Sequence, residues 1–325
     1  ENIFLNKNGN TKKFFEAAIG GAAVGTPATL KTYKLIHGNY GLMNWEKIIS
    51  YVIEFSKNGF IPSARLIKEK KILKKYKEKC PLVCLTSYTY PLAKLTDKYA
   101  DILLVGDSVG PVLYGLQSTK YVSLDVIIQH AKAVSRATKN AMLVVDMPFG
   151  TYEKNINIAY KNAEKIINET GADAVKIEGG QKIANTVEFL VRKGITVFGH
   201  IGMLPQSFNG KYKVYGKSDS QKKQIIKDLK FLEGSGVFSI VIECTIEKLA
   251  KKVCDISNVP IIGIGASKSC DGQILVTEDL LGLTDFNSKF LKKYVNLQHI
   301  IDRSLNNFSK DVKEKSFPSR KNFYK

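Results

Sequence analysis

The chain has 325 residues, a formal net charge of +19, 44% hydrophobic residues and 24% charged residues. That is the composition of an ordinary globular chain, and no apolar run approaches the ~18 residues of a membrane-spanning helix. Residues 1–70 hold 10 Lys and Arg against 5 Asp and Glu, and the rest hold 39 against 25; the basic excess is spread over the chain, without RNP-like aromatics or zinc-finger spacing, and points to Lys-rich solvated faces rather than to a nucleic-acid binder. The five Cys (80, 84, 244, 254 and 270) are odd in number and form no CxxC pair. They argue against a disulfide framework or structural zinc, fit a reducing compartment, and lead to the expectation of a cytoplasmic protein.

In chain order, no signal peptide opens the sequence, and a start on Glu1 rather than Met reads as trimmed. Residues 27–40 and 45–58 read as helices within a front segment, 1–66, that does not share the rhythm of the rest of the chain. Residues 67–79, "IKEKKILKKYKEK", contain seven Lys, with Ile72, Leu73 and Tyr76 at helical spacing. The stretch predicts an exposed basic linker helix. From 80 to 325, apolar runs alternate with helix-like stretches such as 124–138 and 218–235. The runs are "PLVCLTSY" (81–88), "ADILLVGDS" (100–108), "NAMLVVDMP" (140–148), "ADAVKIEGG" (172–180), "ITVFGHIG" (195–202), "FSIVIECT" (238–245), "VPIIGIGAS" (259–267) and "GQILVTED" (272–279). Short, continuous apolar runs of this kind suit strands buried on both faces. Eight β–α units predict a (β/α)8 TIM barrel preceded by a short, mostly helical segment. An open doubly wound sheet is the runner-up, but the first run is not followed by the Gly-rich phosphate loop such a sheet carries.

In a barrel the C-terminal strand ends converge on one mouth. The second run ends on Asp107 and Ser108 and the third on Asp146; the fourth carries Lys176 and Glu178; the fifth ends on His200 and the sixth on Glu243. Each of these alone is read as a cap or turn residue. Over five successive strands the coincidence asks for a common cause. Four carboxylates around one mouth repel each other and lose hydration, and a bound divalent cation is their natural partner. Carboxylate oxygens without a Cys–His cluster suit a hard ion such as Mg²⁺, with other divalent ions open. Asp107 and Asp146 are the best direct ligands; Glu178 is either a third ligand or reaches the ion through water. Such an ion stabilises an enolate, and a separate carboxylate must then take the proton α to the carbonyl, a position that Glu243 fits. Lys176 pairs with a substrate carboxylate or keto oxygen. His200 either orients a ligand or is a packed core histidine.

The motifs "VGDSVG", "STKYVSLDVIIQHAKAVSRA", "VVDMPFGTY", "GADAVKIEGG", "GHIGMLPQS", "YKVYGKS", "VIECTIEKLA", "VPIIGIGAS", "CDGQILV" and "FPSRKNFY" occur in the order of the ketopantoate hydroxymethyltransferase family, which the chain resembles over about residues 72–324. The resemblance implies transfer of a one-carbon unit from 5,10-methylenetetrahydrofolate to 3-methyl-2-oxobutanoate, giving 2-dehydropantoate for pantothenate synthesis. It also implies a homo-oligomer, a decamer. It assigns Asp107, Asp146 and Glu178 to the metal site, Asp107, Ser108, Asp146 and Lys176 to the keto acid, and Glu243 to proton acceptance; His200 is grouped with the substrate-binding residues. The chain departs from the family pattern at Met203, Leu204, Lys211, Tyr215, Ser267 and Glu278, all in loops expected at the mouth. The alternatives are another metal-dependent 2-oxo-acid lyase of the same barrel type, against which the "PQS" segment and Glu243 argue, or a fusion inactivated by its front segment. That front segment, over residues 20–66, resembles a stretch of the γ-glutamyltranspeptidase large subunit. The Thr nucleophile of that family is absent, so Thr26 and Ser63 are not nucleophile candidates and a non-catalytic remnant is expected.

Overall fold

The computed structural model describes residues 34, 36–58, 64–207 and 213–324. The chain divides into two units, Glu1–Ile67 and Lys68–Lys325. In the first, the helix Trp45–Asn58 begins where the Asn44 side chain accepts a hydrogen bond from the Lys47 N–H at 3.1 Å, a partner for one of the amides a helix start leaves unpaired. Residues 36–40 are also helical. The rest of the helix expected over 27–40, and both Thr26 and Ser63, lie outside the described residues.

The second unit is a closed barrel of eight parallel strands: β1 (Leu82–Thr86), β2 (Ile102–Val105), β3 (Met142–Asp146), β4 (Ala174–Glu178), β5 (Val197–Gly202), β6 (Ser239–Glu243), β7 (Ile261–Ile264) and β8 (Gly272–Leu275). Each strand pairs with the next in sequence, and β8 closes on β1 with Leu82 opposite Gly272. Every one of the eight apolar runs supplies one strand. The outer helices begin where the sequence changes to polar caps. Ser123 accepts from the Val126 N–H ahead of Leu124–Ala137, and Ser218 from the Gln221 N–H ahead of Asp219–Gly234. The first of these helices buries Ile127, Ile128, Ala131 and Val134, the three-and-four spacing of a single core-facing stripe.

Side chains alternate across a strand, so every second residue faces the barrel interior. Leu82, Cys84, Ile102, Leu104, Met142, Val144, Ala174, Phe198, Val241, Ile262 and Ile274 fill that interior as one cluster. Ile72 belongs to the same cluster at 3% exposure, which corrects the expectation of an exposed basic helix over 67–79. The helix spans Ala64–Lys77, and from Lys68 onward it packs against the barrel: Lys68 pairs with Asp173 at 3.0 Å and Lys75 with Asp101 at 2.6 Å, while Glu69 accepts from Thr196 at 2.7 Å. One narrow apolar stripe among many Lys is enough to dock a helix when acids on the opposing surface receive the charges.

The same alternation places the functional residues. Asp146 follows Met142 and Val144 in phase, Lys176 and Glu178 follow Ala174, His200 follows Phe198, and Glu243 follows Val241. The inner face of four adjacent strands therefore changes from apolar to charged as it reaches the C-terminal mouth. Register places the charged residues side by side, with Asp146 opposite Lys176 and Glu178 opposite His200.

Candidate active site

Asp107 reaches the mouth by a different route, since it lies in the turn after β2. A Cβ on Gly106 would stand 3.0 Å from Ser108 Oγ and 3.3 Å from Asp146 Oδ2. The absence of that atom lets the chain turn tightly beneath the neighbouring carboxylate. As a result the Asp107 N–H donates to Asp146 Oδ2 at 3.0 Å, and the two acids are tied together through one backbone group. Lys176 Nζ donates to the other Asp146 oxygen at 2.8 Å, with both side chains buried. Beside them Ser108 Oγ shares a 2.7 Å hydrogen bond with the hydroxyl of the fully buried Tyr88.

Gln206 links the remaining acids. Its Nε2 donates to Asp107 Oδ2 at 2.8 Å and to the Met147 carbonyl at 3.0 Å. Its Oε1 accepts from the Tyr152 hydroxyl at 2.7 Å, and its backbone N–H donates to Glu178 Oε2 at 2.9 Å. Neither Gln206 nor Tyr152 stands among the residues expected from sequence. The signal was present in the "PQS" that comes after β5, but a neutral amide and a phenol after a strand carry no charge pattern to single them out.

The electrostatics follow from burial. Asp107 is pushed up to about 7, first by desolvation and then by the negative charge of Asp146. Glu178 is raised well above the ordinary carboxylate range by burial and by Asp107. Glu243 is raised to about 8, chiefly by burial, with Lys176 working in the opposite direction. Burial also disfavours the Lys176 ammonium, but Asp146, Glu178 and Asp107 outweigh it and keep the group charged. His200 is held well below its usual value by burial and by Lys176, so it is a neutral imidazole. It sits with Nδ1 3.6 Å from Glu178 Oε1 and Nε2 3.3 Å from Glu243 Oε2. Neither nitrogen has a hydrogen-bond partner among the described residues.

All seven expected residues line one cavity of about 320 Å³ at the mouth, within the range of small-molecule pockets. Asp107, Asp146, Glu178 and Glu243 lie there with one buried lysine, and Asp107, Glu178 and Glu243 hold raised pKa values, as expected of acids that lack sufficient positive charge. Among the described residues no group of three or more His, Cys, Asp and Glu side chains is arranged to cage a metal. The donor set fits Mg²⁺ in its sparer mode, with two carboxylates and the other positions left to water and substrate oxygens. Asp107 and Asp146, joined through one amide, are the pair that fits. Glu178, engaged by Gln206, stands beside them.

Residues 67–320 match the family model of ketopantoate hydroxymethyltransferase, and residues 1–80 match that of gamma-glutamyltranspeptidase. A 3-methyl-2-oxobutanoate hydroxymethyltransferase of Brucella canis is 44% identical over 251 residues, covering 76% of this chain and 91% of the relative. One of Rhizobium etli is 46% identical over 248 residues, covering 75% and 91%. Among solved structures, phosphonopyruvate hydrolase in complex with oxalate and Mg²⁺ superposes with a TM-score of 0.52 at 10% identity, covering 78% of this chain and 92% of that one. A 2,3-dimethylmalate lyase of the PEP mutase/isocitrate lyase superfamily does so with 0.52 at 12%, covering 79% and 88%. At such low identity these two likenesses concern the barrel fold alone. With its strand-end motifs in place on that barrel and a family match over residues 67–320, the chain belongs to the ketopantoate hydroxymethyltransferase family.

Proposed function

We propose that the barrel transfers a hydroxymethyl group to 3-methyl-2-oxobutanoate, giving 2-dehydropantoate, with 5,10-methylenetetrahydrofolate as the one-carbon donor. The observation that carries this reading is the division of labour among the buried acids. Asp107 and Asp146 are tied together and served by Lys176. Glu243 is buried and raised to about 8, and among the described residues no Lys or Arg pairs with it. A carboxylate of that kind is a competent base near neutral pH.

In this reading Asp107 and Asp146 hold a Mg²⁺ ion, which when bound supplies electrophilic polarisation of the keto group. Lys176 and Ser108 take oxygens of the keto acid and fix its orientation. Glu243 removes the proton from C3. Water adds to the methylene carbon of the donor as both of its bonds to nitrogen break and the nitrogens take protons; the enolate carbon then bonds to the resulting carbonyl-level carbon, whose oxygen takes up a proton to become the hydroxyl group. Neutral His200, with one N–H to give, stands against Glu178 or Glu243 but cannot donate to both. At 3.3 Å from Glu243 Oε2 it borders the base without neutralising it. Residues 1–66 take no part in this chemistry. The exposed apolar residues Ile300, Leu305 and Phe308 of the helix Leu297–Lys313, none of whose residues is buried, support the homo-oligomer that the family resemblance implies.

Deuterium exchange at C3 of 3-methyl-2-oxobutanoate, measured in D₂O with Mg²⁺ and without folate, tests the reading. Exchange is expected to require the ion and to fall by about 10²–10⁴ in Glu243→Gln. A folded, Mg²⁺-supplied chain that gives no exchange, or a variant that exchanges as fast as the parent, overturns it.

A further inference from the structure

The outer face of the barrel wall carries a second group of reactive atoms. Within β7, Ile262 belongs to the interior cluster and Ile264 lines the mouth cavity, so Gly263 between them faces outward. A Cβ there would stand 2.9 Å from Cys270 Sγ; the glycine leaves room for a sulfur against the strand. Cys270 sits in the connection between β7 and β8, residues 265–271, which forms no helix. Ser267 fixes that connection. Its hydroxyl donates to Glu247 Oε1 at 3.0 Å and accepts from the Ser269 N–H at 3.0 Å. Its carbonyl accepts from the Cys270 N–H at 3.3 Å and from Gln273 Nε2 at 2.8 Å. Glu247 opens the helix Glu247–Ile256, and Cys254 lies in the last turn of the same helix. Helix and connection thus bring two thiols into contact: Cys254 Sγ donates to Cys270 Sγ at 3.6 Å.

The two sulfurs are not equivalent. Cys254 is half-buried, whereas Cys270 is 7% exposed and lines a groove of about 940 Å³. The hydrogen bond from Cys254 lowers the Cys270 thiol against the effect of burial, and the same bond raises Cys254. Cys244 lines the same groove, but burial pushes its thiol up to about 12. The thiolate is the attacking form, and a sensitive cysteine stands beside a resolving one. We propose that Cys254 and Cys270 are a reversible dithiol–disulfide couple oxidised by a hydroperoxide, with Cys270 attacking and Cys254 resolving. With hydrogen peroxide, the Cys270 sulfur bonds to one oxygen as the O–O bond breaks, and the other oxygen leaves as water with the Cys270 proton. The Cys254 sulfur then bonds to the Cys270 sulfur, the S–O bond breaks, and that oxygen leaves as a second water with the Cys254 proton. Two thiols give up two electrons, the peroxide takes both, and the products are one disulfide and two waters. A dithiol reductant reverses the couple by exchange. A single bond of this kind is the sort found where thiols are otherwise kept reduced. It joins the end of the helix Glu247–Ile256 to the connection before β8, uses no residue of the mouth, and is independent of the reading above.

The test uses the full folded chain, exposed briefly to hydrogen peroxide, then unfolded and alkylated with iodoacetamide. Digestion and mass spectrometry are expected to show residues 254 and 270 cross-linked, lighter by two hydrogens than the two thiols, with the link lost on treatment with dithiothreitol. Cys84 and Cys244 are expected to be recovered alkylated. Peroxide added to the chain already in urea is expected to lose the preference for this pair, because the fold brings the sulfurs together and Cys244 is nearer to Cys254 in sequence. Cys254→Ser removes the resolving thiol and is expected to leave Cys270 as a sulfenic acid that dimedone traps. Cys270→Ser is expected to slow oxidation of Cys254 by about tenfold or more. Oxidation confined to the exposed Cys80, a 254–270 link that forms as fast in urea, or undiminished oxidation of Cys254 in Cys270→Ser overturns the couple. The comparison of folded and unfolded parent chain needs no variant and decides the matter even where a substitution prevents folding.

Discussion

The site is held by a few residues that each serve more than one neighbour. Gln206 touches Asp107, Met147, Tyr152 and, through its backbone, Glu178, so its amide decides how two acids present themselves. Among the described residues that line the cavity, Lys176 is the only buried cation, and it stands beside Asp107, Asp146, Glu178 and Glu243. Breaking a buried pair by removing one member costs about 3–5 kcal/mol, because the other charge is left uncompensated. Lys176→Met is therefore expected to lower the metal-free melting temperature by roughly 6–15 °C for a unit of this size, read by thermal unfolding at pH 7. A shift under 2 °C contradicts the reading of Lys176 as the charge that compensates these buried acids. At this scale the residues that interrupt or directly end an apolar run were legible from sequence, and those in the loops beyond were not. Asp146, Lys176 and Glu243 interrupt apolar runs, and such an interruption is conspicuous. Gln206 and Tyr152 lie in loops where polar residues are ordinary, and only the fold shows that their partners are buried acids.

At the scale of elements, the barrel uses acids at both ends of its strands for opposite purposes. Asp101 accepts from the Val83 N–H at 3.0 Å, Asp173 from Leu143 at 2.8 Å, Asp271 from Ile261 at 2.8 Å and Asp97 from Ala141 at 2.9 Å. These acids pair backbone amides at the N-terminal ends of neighbouring strands, the stability face of a barrel, whereas Asp146 and Glu243 close strands at the catalytic face. In sequence, "ADIL" and "GADAV" place an acid before a strand, and "VVDMP" and "VIECT" place one at its end. Direction along the strand separates the acids that pair backbone amides from those proposed to carry the chemistry. The strands themselves were legible because a parallel barrel buries both faces and leaves unbroken apolar runs. The docked face of the helix Ala64–Lys77 was not, because its single buried Ile is outnumbered by Lys whose partners, Asp173 and Asp101, are far away in sequence. Ile72→Ala is expected to cost about 2–4 kcal/mol by leaving a cavity at the bottom of the core. Urea unfolding checks the loss. C3 exchange by the folded fraction is expected to be unchanged, since Ile72 touches the opposite end of the barrel from Glu243.

At the scale of the whole molecule, the raised acids couple folding to protons and to cations. Unfolded, Asp107 and Glu243 lose their protons near pH 4; folded, they keep them to about 7 and about 8, and Glu178 shifts in the same direction. Between those limits the folded state binds more protons than the unfolded one, so this contribution to stability is fully present below pH 4 and is lost as pH rises through 7 and 8. A divalent cation at Asp107 and Asp146 changes the sign of the problem, because it favours the same carboxylates ionised and stabilises only the folded chain. The melting temperature of metal-free protein is therefore expected to fall from pH 5.5 to pH 8.5. Millimolar Mg²⁺ is expected to raise it more at pH 8.5 than at pH 5.5. Glu243→Gln removes one of the titrating groups and is expected to flatten the metal-free fall while leaving the Mg²⁺ increment in place, since Glu243 is proposed as the base and not as an ion ligand. A metal-free melting temperature that climbs over this interval, or an Mg²⁺ increment that is larger at acid pH, contradicts the assignment of these acids as a cluster short of positive charge.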